Sequence, residues 1–206
     1  GYTGKGMKIA ILDTGIVVDH PSFGALSEDK LTETSLTKAG VNEIWDTLNA
    51  SKTTSGNMSY YNSKLPFIFN YFTMSFDVSH ATAQHDHGTH VAGIAAANKT
   101  DSNSVIGVAP DAQLVVMQVF SNNGGAGWDT IMAALEDCVR LDVDSVNLSL
   151  GAAAGFTTST DGMNEVLKQF VDTDIEVLIA AGNDTNNAYM NLTGLNMSKA
   201  GNPDIG

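Results

Sequence analysis

Three histidines fall within six positions in HDHGTH (85–90), followed by the small-residue run VAGIAAA. Imidazoles at that density have two chemistries open to them: histidines two and three apart can meet one zinc ion, or a single imidazole can take a proton from a nucleophile. Metal binding by His85, His87 and His90 is disfavoured because residues two apart on a helix point to different faces and no glutamate follows as in H-E-x-x-H. A second feature stands far upstream, where the apolar run MKIAIL (7–12) stops at Asp13-Thr14-Gly15. Asp-Thr-Gly also marks half of an aspartic-protease site, but that chemistry needs two such carboxylates on a hairpin-rich chain, and the triplet occurs once here. Taken singly, the triplet could equally be a strand-ending turn, His85 an exposed loop residue and His90 a packed helix-face residue.

The elements that must carry these residues can be read from the apolar pattern. Four short runs, MKIAIL (7–12), AQLVVMQVF (112–120), DSVNLSL (144–150) and EVLIAA (176–181), each end at Gly, Asn or Asp, as strands buried on both faces do. Helical spacing joins Ile131, Leu135, Cys138 and Val139 in 128–141, and Met163, Val166, Leu167, Phe170 and Val171 in 161–173. Asp129 and Asp161 are the expected N-caps, and a further helix is expected from about Gly88. Strands spaced by helices imply βαβ crossovers, so the expected fold is α/β, a three-layer, mostly parallel sheet with helices on both faces. Residues 24–66, polar apart from a helical piece near 36–48, are expected as an insertion packed on the outside, and the Asn-rich tail 183–206 as loop.

In such sheets ligands sit at the carboxyl ends of the strands. Asp13, the Gly-rich turn 121–127, Ser149 and Asn183 lie at those ends, and His87 joins them if its helix starts at the same edge. An Asp, a His and an Asn converging there suit acyl transfer: an imidazole base, a carboxylate that fixes its tautomer and an amide donor for the oxyanion. Ser149 lacks the G-x-S-x-G setting of an elbow nucleophile and reads better as pocket lining or strand end. The net charge of −13 repels phosphate backbones and anionic lipid, which argues against nucleic-acid or membrane-surface partners. No apolar run approaches the roughly 18 residues of a membrane span. The one cysteine, Cys138, excludes an internal disulfide and is expected in the core.

These pieces together resemble a known family. IAILDTGI (9–16), HGTHVAGIAAAN (87–98), GVAPDAQLVVMQVF (107–120), DVDSVNLSLG (142–151) and VLIAAGN (177–183) occur in the order of the N-terminal two-thirds of a subtilisin-type catalytic domain. The stretches PSFG, IWDTLNA and LPFIFNY are similar in style to the large cell-envelope subtilases of Gram-positive bacteria, the lactocepin and streptococcal C5a-peptidase type. The resemblance implies a serine endopeptidase of bacterial, extracellular or cell-wall-associated origin acting on a peptide or protein substrate. It further implies Asp13 as triad carboxylate, His87 as general base, Asn183 as oxyanion donor and His90 as structural. Ser149, Leu150 and Gly151 would form a wall of the primary specificity pocket; Gly124, Gly125 and Ala126 an edge strand pairing with substrate backbone; Trp128 and Phe120 the border of an upstream apolar pocket.

Two departures from the family are visible. Its nucleophile sits in a G-T-S-M-A-type motif, and none occurs within residues 1–206, so this stretch alone is expected to lack meaningful peptidase activity. Many subtilisins hold calcium after the HGTH helix; here NKTDSNSVIG (98–107) offers Asp101 and Asn103 but not the usual loop, and a solvated loop is the preferred reading, with no metal or cofactor expected. Two other functions stay open: a non-catalytic peptide-binding module of the same fold, and a metallohydrolase built on the His cluster. Self-association through an exposed sheet edge is also open.

Overall fold

The computed structural model describes residues 1–52, 56–79, 86–99, 104–151 and 162–180. The strands among them are β1 (Lys8–Asp13), β2 (Phe67–Asn70), β3 (Gln113–Gln118), β4 (Phe120–Ser121), β5 (Gly125–Ala126), β6 (Ser145–Leu148) and β7 (Glu176–Ile179). The α-helices are α1 (Lys38–Ile44), α2 (His87–Ala96), α3 (Trp128–Arg140) and α4 (Gly162–Lys168). Five strands form one sheet in the order β2-β3-β1-β6-β7, every pair parallel, while β4 and β5 make a separate antiparallel ribbon.

Alternation along the strands divides the core between two faces. Ala10, Leu12, Phe69, Met117, Val146 and Leu148 face one way and pack with Val41 and Trp45 of the α1 region, with Ile131, Leu135 and Cys138 of α3, and with Val166 and Leu167 of α4. Ile11, Ile68, Leu114 and Val116 face the other way and pack with Ala92 and Ala96 of α2 and with Phe23. The three-layer arrangement is thus the expected one. The steps β2→β3 and β3→β6 run the same way across the sheet, yet α2 and α3 lie on opposite faces, so these two crossovers cannot share one hand, although parallel crossovers are almost uniformly right-handed.

Residues 24–66 are less peripheral than their polar composition implies. Val41, Leu48 and Leu65 are buried, and Trp45 packs edge-on to Phe69 with ring centroids 6.3 Å apart. The chain between β1 and β2 is therefore core on one side and solvent-facing on the other. A buried carboxylate fastens it: Asp137 of α3 accepts from the backbone N–H groups of Asn49 (2.7 Å) and Ala50 (3.0 Å), from the Tyr71 hydroxyl (2.8 Å) and from Arg140 (2.8 Å). Burial, with the Asp137 charge beside it, pushes the Tyr71 hydroxyl well above its ordinary pKa, so it stays a donor. Lys64 is equally buried; its ammonium donates to the carbonyls of Pro110 (2.8 Å) and Ala112 (2.6 Å), and burial pushes its pKa down to about 7.

Other expectations need correction. The run 112–120 breaks at Val119, whose N–H turns to the Asp13 carbonyl at 3.0 Å and separates β3 from β4. The N-cap of α3 is Gly127, and Asp129 sits inside the first turn. Val171, placed on the apolar face of the fourth helix, lies beyond its end and is exposed. Cys138 is in the core as expected, and burial raises its thiol well above the usual range, leaving it protonated. Asp161, the Met163 side chain and the tail 183–206 lie outside the described residues.

Candidate active site

β1 is the central strand, and Asp13 ends it in register with Gln118 of β3. Asp13 is 1% exposed. A buried carboxylate needs donors, and it has them: the Thr14 N–H at 2.7 Å, and His87 Nδ1 at 2.8 Å from Oδ1 and 3.0 Å from Oδ2. The imidazole itself is 56% exposed, so engaging Nδ1 leaves Nε2 as the ring nitrogen free to exchange a proton with a neighbour.

His87 is the first residue of α2, and small residues bring that helix close. A Cβ on Gly88 would come within 2.2 Å of the Gly15 carbonyl oxygen and 3.1 Å of Asp13 Oδ1, so any side chain there would push His87 off the carboxylate. Gly15 has φ +94°, which lets the chain turn sharply out of β1 and under the helix. Two cross-links lock turn to helix. The Thr14 hydroxyl accepts from the Gly88 N–H at 2.9 Å, supplying the cap that Asp86 does not, and the Thr89 hydroxyl accepts from the Val17 N–H at 3.0 Å. Neither threonine was singled out for this role in the sequence; their hydroxyls beside the reactive residues in DTG and HGT were the available signal.

The remaining predicted residues gather at the same edge only in part. Phe120 and Ala126 pair across the β4–β5 ribbon, as do Ser121 and Gly125. Gly124 and Gly125 are exposed, and the space beside the Gly125 Cα is open. Trp128 starts α3 directly after this ribbon and is half-buried. Ser149 follows β6, where its hydroxyl accepts from Asn147 Nδ2 at 2.9 Å; Leu150 is buried and Gly151 exposed. β7 exits beside β6, with Ile179 paired to Leu148, but Asn183 lies outside the described residues, as do His85, Asp101 and Asn103. His90 is not packed: its side chain is 71% exposed, with Nε2 3.3 Å from Asp86 on the outer surface. Among the described residues no group of three His, Cys, Asp or Glu side chains comes together as metal ligands would.

The sequence and the fold are similar to those of known proteins. The Peptidase_S8 subtilase family profile matches residues 4–203. The chain is 35% identical over 188 residues to the PI-type proteinase of Lactococcus lactis subsp. cremoris, covering 88% of this chain and 9% of that protein. It is 28% identical over 185 residues to subtilisin E of Bacillus subtilis, covering 89% of this chain and 36% of the relative. The chain thus spans between 9% and 53% of the length of such relatives. Among solved structures, a mutant of the protease domain of PatA superposes with a TM-score of 0.58 at 19% identity, covering 88% of this chain and 52% of that one, which supports the fold. With its motifs in order and its profile match running nearly end to end, this chain belongs to the subtilase family.

Proposed function

We propose that the protein is a serine endopeptidase in which Asp13 and His87 are the carboxylate and the general base, and Asn183 the side-chain donor to the oxyanion. The observation that carries this reading is the short contact of His87 Nδ1 with a buried carboxylate while the rest of the ring stays open. Asp13 holds the imidazole with its proton on Nδ1, so Nε2 is the base that takes the proton of an attacking serine hydroxyl. The tetrahedral oxyanion then forms toward Asn183, and Nε2 returns the proton to the leaving amine. The serine comes from a G-T-S-M-A-type segment that residues 1–206 do not contain.

The substrate is a peptide or protein chain laid along Gly124–Ala126 as an added strand, with Phe120 and Trp128 beside an upstream apolar side chain and Ser149–Gly151 lining the primary pocket. The charge of −13 favours basic peptides by steering. An extracellular or cell-wall location is supported by a 33% identical relative named as a minor extracellular protease of Bacillus subtilis, against a 29% identical one named as an intracellular serine protease of Paenibacillus polymyxa. Among the described residues no helix is long and apolar enough to cross a membrane. β7 is the outermost described strand on its side and Leu178 is exposed, so self-association of an isolated 1–206 chain would run through that edge. A fluorophosphonate probe tests the central reading. It should label one serine of the full-length protein, lose that label in His87→Ala, and leave a 1–206 polypeptide unlabelled; robust labelling of residues 1–206 would refute it.

A further inference from the structure

Gln118 closes β3 beside Asp13 and is 2% exposed. A carboxamide at the buried end of β3 costs desolvation energy that a methionine or leucine of similar volume would not, and unlike Gln113 at the other end, whose amide is bonded at both atoms, Gln118 is only half satisfied among the described residues. Its two ends face different parts of the site. Nε2 donates to the Phe120 carbonyl at 3.1 Å, on the strand that begins the β4–β5 ribbon. Oε1 is buried without a hydrogen-bond partner among the described residues and lies over the turn that follows Asp13, where a Cβ on Gly15 would come within 2.6 Å of it. The backbone on either side is fixed as well: the Gln118 carbonyl accepts from the Tyr71 N–H at 2.8 Å, and the Val119 N–H reaches the Asp13 carbonyl at 3.0 Å.

We infer that Gln118 is a positioning residue that sets the peptide-binding ribbon against the Asp13–His87 pair. The amide rests on the turn after Asp13 at Gly15 and holds the Phe120 carbonyl, so the ribbon's location is referred to the turn that follows the carboxylate. An extended peptide bound along Gly124–Ala126 then places its reacting bond in a fixed relation to His87, and binding far from that bond raises turnover. The unsatisfied Oε1 is the cost of keeping a donor at that point. The inference rests on the endopeptidase reading above and adds a residue to it.

The test compares two substrates on the full-length protein: a single-residue ester, too short to reach the ribbon, and a peptide with at least five residues on the acyl side. Gln118→Met and Gln118→Ala both remove the donor, one keeping and one reducing volume, and either variant that retains ester turnover suffices. The expected result is about a tenfold loss of kcat for the long peptide with ester kcat/KM held within about twofold. Equal losses on both substrates, or a loss on neither, would overturn the positioning role. A wild-type protein that cleaves neither substrate and takes no fluorophosphonate label would instead overturn the endopeptidase reading on which it stands.

Discussion

The two faces of the sheet are built differently. The face that receives α1, α3 and α4 holds the aromatic cluster of Trp45, Phe69, Tyr71 and Phe76 and the four-donor Asp137. The opposite face receives α2, whose fully buried residues are Gly88, Ala92 and Ala96. Large side chains bury the most apolar area and belong where stability is made. Small ones let backbones approach, which is what brings an imidazole to the end of a strand. One face therefore carries stability and the other carries the reactive pair, and substitutions on each should report on different measurements.

The largest effect is expected on the α2 face. His87→Ala should lower kcat of the full-length protein by about six orders of magnitude, while its thermal midpoint moves little because the ring is more than half exposed. Comparable losses of activity and stability would break the division. On the other face the reverse is expected: Asp137→Ala strands the Asn49 and Ala50 amides and should cost roughly 3–5 kcal/mol in urea unfolding with the KM of the remaining folded enzyme unchanged.

Lys64 belongs to neither face but to the amino-terminal rim, beside Ala112 just before β3. Its folded pKa of about 7 lies below its ordinary 10.5, so the folded state binds fewer protons than the unfolded one between those values. Stability should rise with pH across that window, by at most about 1.4 kcal/mol per pH unit, with the cost of burying the charge fully felt below about 7. Lys64→Met should flatten this slope in a urea-midpoint series; a slope retained in the variant would assign it to other groups. The smallest effect sharpens the comparison at the site itself. Thr14→Val removes the acceptor for the Gly88 N–H and should cost about 1 kcal/mol, with kcat falling several-fold as His87 loosens.

How much of this was legible depended on whether apolar residues stood in uninterrupted runs. β1, β3 and β6 announce themselves as apolar runs paired on both sides, whereas β7, outermost on its side and only partly buried, is legible from its apolar run alone; the contact of Asp13 with His87 was foreseeable once both were assigned to strand and helix ends. β2 was missed because FIFN is only four residues long and opens directly after Pro66, with no turn residues to bound it from the apolar YFTM that follows. The α1 region was read as peripheral for another reason: Val41, Trp45 and Leu48 fall on one face, but Asn42, Glu43, Asp46 and Thr47 between them are polar and solvent-facing. Asp137 and Lys64 were invisible because a charge in sequence looks the same whether solvated or buried, and their partners are distant backbone groups. Gln118 did leave a sign, a polar residue inside LVVMQVF, which a fully buried strand has no packing reason to contain.

The links that assemble the site have a consequence in time. His87 to Asp13 and Gly88 to Thr14 each join residues 74 apart, and Val17 to Thr89 joins residues 72 apart. Contacts of that separation reward the chain only after the intervening loop has been closed, so they form late and are lost together when α2 lifts away. The pair consequently exists only in a finished domain, and a partly folded or locally opened chain presents an isolated carboxylate and a wandering imidazole instead.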